Sequence, residues 1–126
     1  MLVKNAIKCK YCKQTIESVH RHDFNVCGCG KVGIDGGILD YIRVMGEIGS
    51  YEDKSIYSND FEIQRKHIKW GKNYDKNMKR LPETKWIPIY KLKTDHIEAI
   101  LKNVKTIDPI YKKLLKKELK YRKDNV

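Results

Sequence analysis

Four cysteines fall in one short stretch, as Cys9-x2-Cys12 and Cys27-x-Cys29, and the 126-residue chain holds no others. Two pairs of thiolates on two tight turns form the donor set of a closed tetrahedral site. The spacing predicts one structural zinc held by Cys9, Cys12, Cys27 and Cys29. In "KCKYCK" the sulfurs flank a single turn and can share an ion. "VCGCGK" is one residue shorter between its cysteines, and Gly28 and Gly30 are expected to supply the backbone freedom that the shorter turn demands. Residues 13–26, between the pairs, are long enough for a β-hairpin. Four thiolates leave no open coordination position, so such a centre stabilises a fold and does not activate water. Disulfides, or a redox or iron centre, are the competing uses of four cysteines. The opening "MLVKNAIKCK" lacks the continuous apolar core of a secretory leader, which disfavours an oxidised scaffold and points to the cytoplasm.

Other residue types with chemistry are fewer. His20 and His22 fall on one face of an extended segment, with Asp23 beside them. With Asp35 they are the side chains of a metal-dependent nuclease, but no convergent acid and phosphate clamp accompany them. The expected role of His20, His22 and Asp23 is to donate to cysteine sulfurs or to lock the hairpin. Asp40 and Arg43 are expected to pair within the sheet. No lysine follows Gly36-Gly37 at the spacing of a phosphate-cradling loop. His67 and His96 are isolated and read as structural or solvated. With every cysteine committed to metal, no nucleophile–base pair remains, and the expectation is a protein without catalysis.

Charge is divided unevenly. The chain carries 27 Lys and Arg against 16 Asp and Glu, a net charge of +11. Residues 1–63 hold 8 basic and 9 acidic side chains, whereas residues 64–126 hold 19 and 7. The positive field thus belongs to the second half and suits a polyanion or an acidic patch on a protein. The plain alternative is lysine used only for solubility. Candidate partner contacts are Lys66, Lys69, Trp70, Lys72, Lys79, Arg80 and Trp86: lysines for phosphates, aromatics for bases or as buried anchors. Arginine is scarce there, with only Arg65, Arg80 and Arg122, which limits base-edge reading. Trp70 and Trp86 could equally be core residues of a small domain.

The elements that must position these groups read as α+β: an N-terminal zinc-ribbon β-sheet extended by a hairpin, and a C-terminal helical pair packed on it. Residues 1–49 form the four-cysteine module, 50–93 a basic, aromatic-containing stretch, and 94–126 a helical hairpin. Phe24 and Val26 alternate with polar neighbours as a strand, and Asp35-Gly36-Gly37 is a turn. "ILDYIRVMGEIG" fits a strand with Tyr41, Arg43 and Met45 on one face better than a helix. Residues 50–60 read as a loop with a strand at 55–57, and 61–70 as strand or short helix. Pro82 and Pro88 break the stretch after it into a loop and an extended segment at 86–90. Thr94 is the expected cap of a helix carrying Ile97, Ile100, Leu101 and Val104 on one face. Asp108-Pro109 starts a second helix, with Tyr111, Leu114, Leu115 and Leu119 on one face. No run of residues approaches transmembrane length.

The run Cys9, Cys12, Ile16, Glu17, Ser18, His20, His22, Asp23, Cys27, Cys29, Gly30, Asp35, Gly36, Gly37, Asp40, Tyr41 and Arg43 resembles a family of small uncharacterised zinc-ribbon proteins. They occur mainly in phages and prophages of Gram-positive bacteria. The resemblance covers the first third well and the terminal helices more loosely. It implies a context: an accessory protein acting in the host cytoplasm by binding a host defence protein, as anti-CRISPR proteins bind Cas effectors. The leading expectation is therefore a zinc-stabilised inhibitor of a defence effector such as a CRISPR-Cas nuclease. The runner-up is a nucleic-acid-binding accessory or regulatory protein, and a metal-dependent nuclease is a minor third.

Overall fold

Strand β1 (Leu2–Cys9) is buried along almost its whole length because it is flanked on both edges. Antiparallel β2 (Thr15–Ser18) covers one edge, with Asn5 opposite Ser18 and Ile7 opposite Ile16. On the other edge lie β6 (Tyr51–Asp53), with Tyr51 opposite Cys9, and β7 (Ile56–Tyr57), with Tyr57 opposite Leu2. A second sheet runs in the order β3 (Asn25–Val26), β4 (Gly33–Asp35) and β5 (Arg43–Met45), all antiparallel. The computed structural model describes residues 1–39, 42–75 and 77–125. Asp40 and Tyr41, assigned above to an ion pair and a strand face, lie outside the described residues. The chain divides into two compact units, 1–64 and 65–126, and the division falls within the short helix α1 (Phe61–His67).

The core of the first unit is small. Ile7, Cys9, Ile16, Cys27, Val32 and Ile34 are buried together, with Tyr51 packed against them. Two of the four cysteines are thus core residues. β6 and β7, drawn from a polar stretch, are held by backbone: Lys10 N–H donates to the Ser50 carbonyl (3.0 Å) and Lys54 N–H to the Ala6 carbonyl (2.9 Å). Strand β1 needs those partners, since an unpaired buried N–H or C=O is costly.

In the second unit β8 (Lys69–Tyr74) and β9 (Arg80–Pro88) form an antiparallel ribbon. Pro82, expected to break the chain into a loop, lies instead within strand β9. Register shifts between Lys72, opposite Lys85, and Tyr74, opposite Arg80, so Pro82 sits in a bulged stretch where no ladder donor is needed. A short 3-10 turn (Ile89–Lys91) leads to α2 (Thr94–Asn103) and α3 (Pro109–Asp124). Asp108 caps α3, its carboxylate accepting from Ile110 N–H (2.9 Å), with Pro109 at the first helical position. Thr94 is not the cap of α2; Lys93 occupies that position without a side-chain bond. The Thr94 hydroxyl instead accepts from Arg122 (2.9 Å). Ile68, Ile89, Leu92, Ile97, Ile100, Leu114 and Leu115 are buried in this unit. Among the described residues no helix is long and apolar enough to cross a membrane.

Candidate metal centre

The thiols of Cys9, Cys12, Cys27 and Cys29 converge, with all four sulfurs within 4.8 Å of one another. Cys9 and Cys29 sulfurs are 3.6 Å apart, and those of Cys27 and Cys29 are 3.4 Å apart. Sulfurs about 2.3 Å from a central zinc form a tetrahedron with edges of about 3.8 Å. The separations lie on both sides of that edge, from 3.4 Å to at most 4.8 Å, so small shifts of the sulfurs would seat one ion. Four free thiols around one point do not match two bonded pairs. Cys9 and Cys27 are buried and Cys12 and Cys29 exposed, so the centre sits at the edge of the core.

Two hairpin ends build it, and each is closed by the backbone N–H of its first cysteine. Cys9 N–H donates to the Gln14 carbonyl (2.9 Å), closing the turn after β1. Cys27 N–H donates to the Val32 carbonyl (3.0 Å), closing the other. Both closures therefore span five residues, and the second cysteine of the later turn is simply advanced by one position. In each turn the residue after the second cysteine is left-handed: Lys13 (φ 65°) and Gly30 (φ 77°). Glycine adopts that backbone freely, whereas a lysine there costs on the order of 1 kcal/mol. Gly28 is not left-handed. Its N–H donates to the Gln14 side-chain oxygen (2.5 Å), and a Cβ on Gly28 would come within 3.2 Å of that atom. Gln14 thus ties the two turns together. The sequence reading missed it, although a lone amide beside four cysteines was the available signal.

Backbone N–H groups tune the sulfurs. For Cys27, burial opposes the thiolate, but the Val32 N–H and the neighbouring thiols prevail and bring it down to about 6. For Cys12, the Gln14 N–H leads in lowering the value. Cys29 goes the other way. The Lys31 N–H favours its thiolate, but burial and the neighbouring sulfurs outweigh that and push it up to about 11. Like charges in one site resist joint ionisation. A divalent ion would remove that resistance, displacing the thiol protons as it bound to these four sulfurs.

Asp23 locks the hairpin rather than reaching a sulfur. Its carboxylate accepts from Val19 N–H (2.7 Å), and its carbonyl accepts from the Ser18 hydroxyl (2.7 Å). His20 Nε2 lies 3.8 Å from the same carboxylate. His22 is exposed. Ser18 Oγ also accepts from Gly37 N–H (2.9 Å), and the buried Asn5 amide donates to the Gly37 (2.8 Å) and Asp35 (3.3 Å) carbonyls. Arg43 Nη2 meets Asp35 Oδ2 at 2.5 Å. That bond holds the Asp35 carboxyl below the usual range. The histidine–aspartate and double-glycine segments therefore meet in one partly buried polar network bridging β1, β2, β4 and β5.

Residues 1–46 match a family model described as a domain of unknown function (DUF7695). The matched stretch contains both turns, all four cysteines and the Asn5–Ser18–Asp35–Arg43 network. No curated protein and no solved structure matches the chain.

The second unit separates the sequence-predicted contacts into two groups. Trp70 is half-buried, its ring edge-on to Tyr111 at 5.7 Å. Trp86 is 36% exposed, with its benzo ring lying over Gly71, where any Cβ would come within 2.9 Å of it. Lys66, Lys79 and Arg80 are exposed, and Lys69 and Lys72 are half-buried. Two arginines of the basic half are committed elsewhere. Arg65 grips buried Glu118 with two bonds (2.6 and 2.8 Å), and Arg122 adds a third (2.7 Å). The Arg65 guanidinium also lies 4.3 Å from the Tyr121 ring centroid.

Proposed function

We propose that the chain is a non-enzymatic binding protein. One zinc on Cys9, Cys12, Cys27 and Cys29 stabilises its first unit, and the β8–β9 ribbon of its second unit binds nucleic acid. Zinc is supported by sulfur spacings close to a tetrahedral edge and by an all-thiolate donor set.

One observation carries the nucleic-acid reading: Lys72 stands directly opposite Lys85 across the ribbon. Like charges facing each other across a strand pair destabilise it, and a phosphate chain relieves that repulsion. Lys79 and Arg80 extend the charge toward the connecting turn, while partly exposed Trp86, next to Lys85 in the strand, lays its ring over Gly71 on the opposite face of the ribbon. Affinity for DNA or RNA should fall steeply with salt, and substituting both Lys72 and Lys85 by Ala should lower the slope by about 1.4 for a single strand. A salt-insensitive affinity, or one untouched by that double substitution, would sink this reading.

The resemblance to phage and prophage zinc-ribbon proteins supports a second reading, in which the same basic surface blocks a host defence effector such as a CRISPR-Cas nuclease inside the host cytoplasm. Pull-down of the tagged protein with and without nuclease treatment separates the two. A partner protein that survives nuclease favours the inhibitor; partners lost with the nucleic acid favour the binder. Both readings expect purified protein to leave DNA and RNA intact. Metal-dependent nicking abolished by His22→Ala and Asp23→Ala would overturn them in favour of a nuclease.

A further inference from the structure

Each metal turn has a left-handed residue directly after its second cysteine, Gly30 in one and Lys13 in the other. A lysine in a left-handed position that glycine takes more easily points to work for its side chain. Lys13 is exposed, as are Lys10 and Tyr11 on the same turn. The converging sulfurs bring the second turn alongside, and Lys31, which follows it, sets its ammonium 3.9 Å from the Tyr11 ring centroid. Lys31 therefore sits over a tyrosine that is 57% exposed, and exposed Lys10 and Lys13 flank that tyrosine in the turn. Residues 1–63 come close to neutrality, with 8 basic and 9 acidic side chains, only because these lysines are counted in. Glu52 on β6 feels the charge of Lys8 and Lys10 and is paired with Lys54 at 3.3 Å.

We propose that this metal end of the first unit, made of Lys10, Tyr11, Lys13 and Lys31, is a second nucleic-acid contact, separate from the ribbon. The lysines meet backbone phosphates, and Tyr11 stacks on a base or sugar. The competing explanation is local. Four thiolates around one divalent ion carry a net double negative charge, and nearby lysines would offset it. Lys13→Gly distinguishes the two, because it removes the charge and relieves the left-handed backbone together.

The test uses the zinc-loaded full chain and the fluorescence anisotropy of a labelled single-stranded DNA 20-mer, titrated across 50–200 mM salt. K13G is expected to weaken binding about fivefold at 100 mM salt and to lower the salt slope by about 0.7. Metal retention against a chelator and the denaturation midpoint should stay equal or rise. The K10A/K31A pair should lower the slope by about 1.4. Unchanged DNA affinity in both variants overturns the proposal, as does an affinity loss that tracks loss of metal. Equal competition by poly-glutamate overturns it in favour of an acidic protein surface. The K72A/K85A pair reports on the ribbon alone. Loss of binding there, with K13G and K10A/K31A both unaffected, removes this contact and leaves the ribbon; the converse removes the ribbon and leaves this contact.

Discussion

Glycine 37 carries the sharpest single-residue constraint outside the cysteines. Its φ is 60°, and a Cβ would stand 2.7 Å from the His20 carbonyl carbon. Backbone cannot swing aside as a flexible side chain can. Gly49 is also left-handed (φ 86°) but has nothing within 4 Å of such a Cβ. Gly49→Ala should therefore cost about 1 kcal/mol from backbone strain alone, and Gly37→Ala distinctly more, measured as urea midpoints of the zinc-loaded protein. Equal costs would show that the His20 contact is unimportant. Replacing Cys27, buried in the core, with Ser should lower bound metal well below one ion per chain and unfold the first unit, read by elemental analysis and amide dispersion. The cysteines were legible because their chemistry depends on spacing alone. Asn5 was not. It stands in an apolar run, and its partners, Asp35 and Gly37, lie about thirty residues away.

Helix α3 was legible as an element, while its one buried charge was not. Asp108-Pro109 and the leucine spacing marked its start and inner face, but nothing near Glu118 announced that Arg65, from α1, would meet it. Glu118 is fully buried and held by Arg65 and Arg122. Burial pushes its carboxyl up, yet the hydrogen bonds from the two arginines prevail and hold it below the usual value. A depressed native value means that its contribution to stability is complete above the unfolded value, about 4.3, and is lost as pH falls through the native one. Glu118→Gln should destabilise the second unit by about 3 kcal/mol at neutral pH and remove that acid dependence. Tryptophan emission measured in urea from pH 3 to 7 reads both effects, since Trp70 and Trp86 both lie in residues 65–126. An unchanged acid limb in E118Q would locate the sensitivity in another carboxylate. Strand β9 was the element misread, because a proline normally excludes a ladder position and only the bulge excuses Pro82.

At the scale of the whole chain, the two units answer to different chemistry. Every cysteine lies in residues 1–64, while residues 65–126 have their own buried aliphatic cluster. Strong chelation should therefore collapse amide-exchange protection across β1–β7 and leave tryptophan emission from the second unit in place. Loss of both signals together at the same chelator concentration would show that the units do not hold separately. The α+β class and the basic second half were readable from capped periodic runs and simple charge counts. The lysines around Tyr11 were not, because they lie near neutrality when averaged along the sequence and become a cluster only once the two metal turns are folded together.

The matched stretch of 1–46 ends before β6 and β7. A fragment cut there would retain all four ligands and yet leave one flank of β1 bare, since Tyr51–Asp53 and Ile56–Tyr57 are what cover it. Open strand flanks recruit other chains. Such a fragment should pass from monomer to strand-sharing oligomers as concentration rises, even when saturated with metal. A fragment ending at residue 64 should stay monomeric by size exclusion. The smallest self-sufficient form of this module is thus fixed by where its ladder of backbone bonds closes, well beyond the last cysteine.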